Sequence, residues 1–290
     1  MEFAKLHGLG NDFLIAKAGE AGFGKKPLPH LAKAVCDRHL GVGADGIVFY
    51  QPTTGDKDAE VSALIFNADG SRAEMSGNGV RCLAAWLRLS GECRRPSIRI
   101  RTVAGVRVLK LESHTINSCA FECSMGRPIV EPRLIPVLLG EPDRPLLDYP
   151  LGLGNGVLKI SASSFGNPHC TTFWEDVGLA PLESLGRELE NHSAFPNKTN
   201  VEFVQIIDEH RLKVRFWERG VGPTLASGTG SSAAAVAAIL SGRAQSPMAV
   251  EAQIGSMSVR WDPPGELYLS GPAQLICTGM YFEDESPATP

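Results

Sequence analysis

One register occurs twice in this chain, and it narrows the possible architecture more than any compositional total does. Ser76-Gly77-Asn78-Gly79 and Ser227-Gly228-Thr229-Gly230 are both Ser-Gly-x-Gly turns, each running into a long Ala- and Leu-rich stretch with helical character. Phe66-Asn67 stands nine residues before the first serine and Trp217-Glu218 nine before the second. Ser90-Gly91 and Ser241-Gly242 close the two helical stretches at the same interval. Gly10-Asn11-Asp12 and Gly166-Asn167-Pro168 open the two segments at similar, though not identical, distances. Coincidence at several points in one register implies a duplicated unit, and two copies facing each other would enclose a cleft.

Between these landmarks the pattern is mixed α and β, with strands in the majority. Strand patterns cover Val61 to Phe66, Ser97 to Val103, Arg107 to Leu111, Val201 to Ile207 and Leu212 to Trp217. Helical periodicity predicts Leu28 to Arg38 ended by Gly41, Gly79 to Leu89 ended by Gly91, Leu182 to Glu190, and Gly230 to Leu240 ended by Gly242. Six prolines between Gly126 and Pro150 are too many for a central strand and suit a crossover. The expected halves are therefore residues 1–126 and 127–274, the first completed by the C-terminal segment 275–290. Gly41-Val42-Gly43-Ala44-Asp45-Gly46 fits a dinucleotide fingerprint on paper. A helix precedes it and a strand follows, the reverse of what that fingerprint needs, so a tight turn is expected.

The totals exclude several classes. A formal net charge of −4 offers no basic field for nucleic acid or anionic lipid. The densest basic stretch, Arg94, Arg95, Arg99 and Arg101, is expected to be a solvated strand face. No apolar run is long enough to span a bilayer and the start has no signal-peptide core, which makes a cytoplasmic protein the expectation. The 7 cysteines form no C-x-x-C pair. Cys119 and Cys123 read as small buried hydrophobes and no metal set is expected.

A glycine turn entering a helix leaves its first backbone N–H groups free, and the helix dipole adds partial positive charge at the same end. Two such ends aimed at one carboxylate would place the turn-tip side chains, Ser76 and Ser227, on either side of the carbon that bears it. That suits proton removal on one face and return on the other, with negative charge delocalised into a carboxylate held by backbone N–H groups and no cofactor required.

At this level of detail the chain resembles the diaminopimelate epimerase family of cofactor-independent amino-acid racemases and epimerases, over nearly its whole length. The resemblance rests on K-L-H-G-L-G-N-D-F at 5–13, D-R-H-L-G-V-G-A-D-G at 37–46, F-N-A-D-G-S at 66–71, E-M-S-G-N-G-V-R-C at 74–82 and G-N-P-H-C at 166–170. It continues through F-P-N-K-T-N-V-E-F-V at 195–204, W-E-R-G-V-G at 217–222 and S-G-T-G at 227–230. It implies two pseudo-symmetric α+β domains with the site in the cleft between them, a small amino-acid substrate, a place in lysine biosynthesis and a possible homodimer. It also implies that Asn11, Asn67, Asn167, Asn200 and Arg219 hold substrate and that Gly77, Asn78, Gly228 and Thr229 hold its α-carboxylate. Glu218 and His169 would then stand beside the reacting centre.

The chain departs from the family where the chemistry is done. The family has a cysteine at each turn tip, one thiolate to take the α-proton and one thiol to return it. This chain has Ser76 and Ser227, and Pro223 where the family usually has Glu. A thiol ionises near pH 8.5 and lower still at a helix N-terminus, whereas an alkoxide is out of reach at neutral pH. Three readings stay open: an epimerase slowed by its serines; a dehydratase or isomerase of the same fold using His169 or Glu218 as base; and a binding protein that keeps the pocket without turnover.

Overall fold

The computed structural model describes residues 1–18, 27–53, 55–73, 75–154 and 156–283. Glu74 of the first turn motif and residues 284–290 of the C-terminal segment assigned to the first half lie outside them. The chain divides into two compact units, one made of residues 1–123 and 271–290, the other of residues 124–270.

The first unit runs β1 (Glu2–Gly8), β2 (Asn11–Lys17), α1 (Leu28–Cys36), β3 (Gly46–Pro52), β4 (Val61–Asn67), the two-residue β5 (Arg72–Ala73), α2 (Gly77–Leu89), β6 (Ser97–Thr102), β7 (Gly105–His114) and β8 (Ser118–Gly126). The second runs β9 (Tyr149–Leu153), β10 (Gly156–Ser164), β11 (Pro168–Phe173), α3 (Leu182–Glu190), β12 (Asn200–Asp208), β13 (Arg211–Glu218), β14 (Gly222–Thr224), α4 (Gly228–Leu240), β15 (Met248–Ala252), β16 (Gly255–Trp261) and β17 (Leu267–Met280). From residue 271 onward β17 belongs to the first unit, where it pairs with β1 from Glu2↔Met280 to His7↔Gln274.

The pairings repeat between the units. In the first, β1–β2 is antiparallel, β2–β3 parallel, β3–β4 and β4–β5 antiparallel, β4–β6 parallel, and β6–β7 and β7–β8 antiparallel. In the second, the same sequence of senses runs β10–β11, β11–β12, β12–β13, β13–β14, β13–β15, β15–β16 and β16–β17. A helix follows the second strand and another follows the short strand in both. The fold is therefore a mixed α/β duplication of two pseudo-symmetric units.

Each parallel pair needs cover on both faces, and the residues supply it. Along β2 and β3, Phe13, Ile15, Val48 and Tyr50 pack with α2, while Leu14, Ala16, Ile47 and Phe49 pack with Leu31, Ala32, Val35 and Cys36 of α1. One helix therefore lies outside the sheet and the other inside it. Pairing of β17 with both β8 and β1 closes the strands of the first unit around α2, whose Val80, Cys82, Leu83, Ala84, Ala85 and Leu87 are all buried. In the second unit α4 touches β10, β11, β12, β13, β15 and β16. Its run Ala233-Ala234-Ala235-Val236-Ala237-Ala238 is buried throughout, since a helix with strands on many sides has no polar face to present and little room for bulk.

Two expectations change. The pattern that carries α1 to Arg38 stops at Cys36, because Asp37 leaves helical geometry (ψ 127°) and its carboxylate accepts the N–H groups of His39 and Leu40 at 2.8 and 2.7 Å. The basic stretch is more than a solvated face: Arg95 and Arg99 converge on Glu60, and Arg101 on Asp56. Gly41 to Gly46 forms the expected turn, with Gly43 at φ +79°, and Cys119 and Cys123 are buried in the core around α2.

One glycine is fixed by packing. A Cβ on Gly186 of α3 would lie 2.7 Å from the Trp217 ring, and that ring cannot swing away while its Nε1–H donates to Glu190 Oε2 at 2.7 Å. Alanine in a helix ordinarily gains about 1 kcal/mol over glycine. Here Gly186→Ala should instead destabilise by about 1–3 kcal/mol through overpacking, read as a lower urea midpoint with unchanged slope.

Candidate functional site

Each enclosed helix begins at a serine. Ser76 has φ −141° and ψ 117°, Ser227 φ −139° and ψ 127°, and both side chains cap the helix they precede. Ser76 Oγ accepts the Gly79 N–H at 3.0 Å and Ser227 Oγ accepts that of Gly230 at 3.3 Å. One helical N–H at each end is thus satisfied by the hydroxyl, and the earlier N–H groups of the turn remain for a ligand. Both helices end at left-handed glycines, Gly91 (φ +79°) and Gly242 (φ +70°), so the duplicated register holds through the whole element.

In the first unit an ordered chain of polar contacts leads to the turn. Asp45 accepts from Asn11 Nδ2 at 2.7 Å, Asn11 Oδ1 accepts from Asn78 Nδ2 at 3.0 Å, and Asn78 Oδ1 accepts from Arg81. Behind it, Arg38 bridges Asp12 and Asp45 at 2.8 Å each, and Lys5 lies 3.1 Å from Asp12. Arg81 is 2% exposed, and among the described residues its Nε meets no acceptor and no carboxylate pairs with it. Burial accordingly lowers its pKa. Gly77 lies beside this guanidinium, which adds positive charge at the start of α2. Asn67 is exposed at the end of β4, its Nδ2 donating to Ser71 Oγ at 2.9 Å.

In the second unit the turn is surrounded by carboxylates and a histidine. Glu218 ends β13 and accepts from Thr224 Oγ1 at 2.7 Å; burial raises its pKa against that hydrogen bond. Asn200 accepts the Arg219 backbone N–H at 2.9 Å and donates to Pro168 O at 3.0 Å, while the Arg219 guanidinium donates to Asn197 O at 2.8 Å. His169, fully buried, places Nδ1 2.7 Å from Glu202 Oε1 and Nε2 3.1 Å from Asn167 Oδ1. Gly228 and Thr229 form the first turn of α4 without side-chain hydrogen bonds of their own among the described residues. Asn11 and Asn78 thus share one network in the first unit; His169 and Asn167 share one in the second, and Asn200 and Arg219 another.

The buried cysteines do not substitute for tip thiols. Cys82, within α2, is pushed up to about 12 by burial, and Cys170 is raised well above the usual thiol range for the same reason. Glu202, Glu190, Asp45, Arg38 and Arg81 escaped the sequence reading. For Glu202 a signal was present: a single acid interrupts the apolar run Val201 to Val204.

A class of protein follows from this duplicated fold. Solved structures with it include a hydroxyproline epimerase from Agrobacterium vitis with bound trans-4-hydroxy-L-proline (TM-score 0.67, 16% identity, 98% of this chain and 93% of that one). Another is a phenazine biosynthesis protein from Bacillus anthracis (TM-score 0.66, 15% identity, 96% and 98%). At these identities the likeness concerns the fold alone. Sequence gives the family itself: the diaminopimelate epimerase model matches residues 3–130 and 161–276. Curated diaminopimelate epimerases are similar from end to end, that of Pelotomaculum thermopropionicum at 41% identity over 281 residues (97% of this chain, 99% of the relative) and one from Nostoc sp. at 42% over 282 residues (96% and 99%). The chain belongs to the diaminopimelate epimerase family and is an isomerase of the racemase/epimerase type.

Asp12 carries a pH-dependent part of the stability. Burial raises its pKa, but hydrogen bonds from Arg38 and Lys5 and the Asp45 N–H outweigh burial and hold it below the ordinary 3.8. A carboxyl depressed in the folded state contributes fully above its unfolded pKa and loses that contribution as pH falls through the folded one. Urea titrations at pH 7 and at about pH 3 should show Asp12→Asn less stable at neutrality and less sensitive to acid than the natural chain.

Proposed function

We propose that the chain interconverts LL- and meso-diaminopimelate, or a closely similar amino acid, by moving the α-proton without a cofactor. The observation that carries this reading is the pair of serine-capped turns, at equivalent places in the duplicated units, in a chain about two-fifths identical to diaminopimelate epimerases along its length. In this reading Gly77, Asn78, Gly228 and Thr229 offer backbone N–H groups to the α-carboxylate, and the start of each helix stabilises the charge that builds there in the transition state. Asn11, Asn67, Asn167, Asn200 and Arg219 bind the rest of the substrate, with Glu218 and His169 beside the reacting carbon.

Ser76 and Ser227 occupy the positions from which a proton leaves and returns. Each Oγ accepts a backbone N–H, which leaves the hydroxyl proton free to donate and makes the tips competent acids. They are poor bases. Every 1.36 kcal/mol of added deprotonation cost lowers the rate tenfold, so serine at both tips makes the reaction slow.

Incubating LL-diaminopimelate with the protein in D2O tests this directly. Slow loss of the α-proton signal is expected, and its absence over a day at high enzyme concentration refutes the reading. Ser76→Cys with Ser227→Cys should accelerate exchange by at least about 1000-fold. A double variant that still fails to exchange would mean a different ligand.

A further inference from the structure

The pair formed by His169 and Glu202 is chemically out of place for its position in the fold. Pairing registers make the comparison strict: His169 faces Asn200 and Thr171 faces Glu202 across β11 and β12, as Phe13 faces Gly46 and Ile15 faces Val48 across β2 and β3. The first unit therefore fills the His169 and Glu202 positions with Phe13 and Val48, both buried in its apolar core. The same fold closes with hydrocarbon at these points. An acid 1% exposed beside a histidine 0% exposed is a desolvation cost with no architectural need.

The surroundings show which way the pair points. Glu202 Oε1 meets His169 Nδ1 at 2.7 Å, and its other oxygen lies 3.5 Å from Thr171 Oγ1. A Cβ on Gly230 would come within 3.1 Å of Oε1, so the carboxylate sits against the first turn of α4, the turn that Ser227 caps. That end of a helix favours a negative group. Glu218 also acts on the pair: it repels Glu202 and is attracted by His169. His169 Nε2 is left facing Asn167 Oδ1, a carbonyl oxygen, at 3.1 Å.

We propose that Glu202 is a positioning residue for His169: it accepts the Nδ1 proton, fixes one ring orientation, and so holds Nε2 against Asn167 Oδ1. An imidazole without such a partner could rotate about its ring axis and present either nitrogen. The role assigned to the ring rests on the epimerase reading above; the Nδ1 proton does not.

Long-range proton–nitrogen correlation spectra of the natural protein with labelled histidine test the ring state without substrate. The expected result is a protonated, strongly deshielded Nδ1 for His169, with that pattern altered in Glu202→Gln. A bare Nδ1 in the natural protein, or a His169 pattern unmoved by Glu202→Gln, overturns the proposal. If the variant does not fold, the spectrum of the natural protein decides alone. In D2O exchange, Glu202→Gln should lower turnover about 100-fold with KM little changed, and unaltered turnover beside an altered ring overturns the positioning role. Should the natural protein exchange no α-proton at all, the epimerase reading fails while the spectra still decide whether Nδ1 carries its proton.

Discussion

A helix hemmed in by strands can offer only its ends to a ligand. The sides of α2 and α4 are spent on packing, with Val80 to Leu87 and Ala233 to Ala238 buried almost without a break. What remains is the first turn, where backbone N–H groups have no partner within the helix and the dipole adds positive charge. The candidate site in each unit is therefore a consequence of where its central helix starts, and the Ser-Gly-x-Gly sequence sets that start to the residue. Glycine keeps the approach open; serine closes the one donor that must not stay bare.

Duplication supplied two equivalent turns, and divergence then made their surroundings electrically opposite. Beside α2 stands Arg81, buried without a carboxylate among the described residues; the residue in the same register of α4 is Ser232, whose hydroxyl merely bonds the Gly228 carbonyl at 2.9 Å. Beside α4 stand Glu218, Glu202 and His169, where the first unit has Asn67, Val48 and Phe13. The two turns therefore differ in the charge beside them although their backbone geometry matches.

Much of this was legible locally. Helix starts and stops are written in residues next to one another, so Ser76, Ser227, Gly91 and Gly242 announce α2 and α4, and Leu182 to Glu190 was readable as a helix to the residue. Strands alternating between two cores, such as Val201 to Ile207 inside β12, carry their own signature. What was not legible depends on register between distant segments. His169 stood out through its motif, but nothing in the sequence says that Glu202, 33 residues on, lies beside it; only the parallel pairing of β11 with β12 does. Arg38 and Asp45 likewise meet Asp12 across a turn whose glycines mimic a nucleotide-binding loop. The end of α1 was misjudged because an amphipathic pattern continues to Arg38 while Asp37 competes for the same backbone through its own side chain.

The second unit is one uninterrupted stretch of chain, residues 124–270, whereas the first borrows its last strand from residues 271–280. During synthesis, then, the part made first must wait for the part made last. Until β17 leaves the ribosome, α2 lacks one stave of its enclosure and its apolar flank is open to water. The C-terminal unit can reach its full complement of strands before the N-terminal one, reversing the order in which the two are translated.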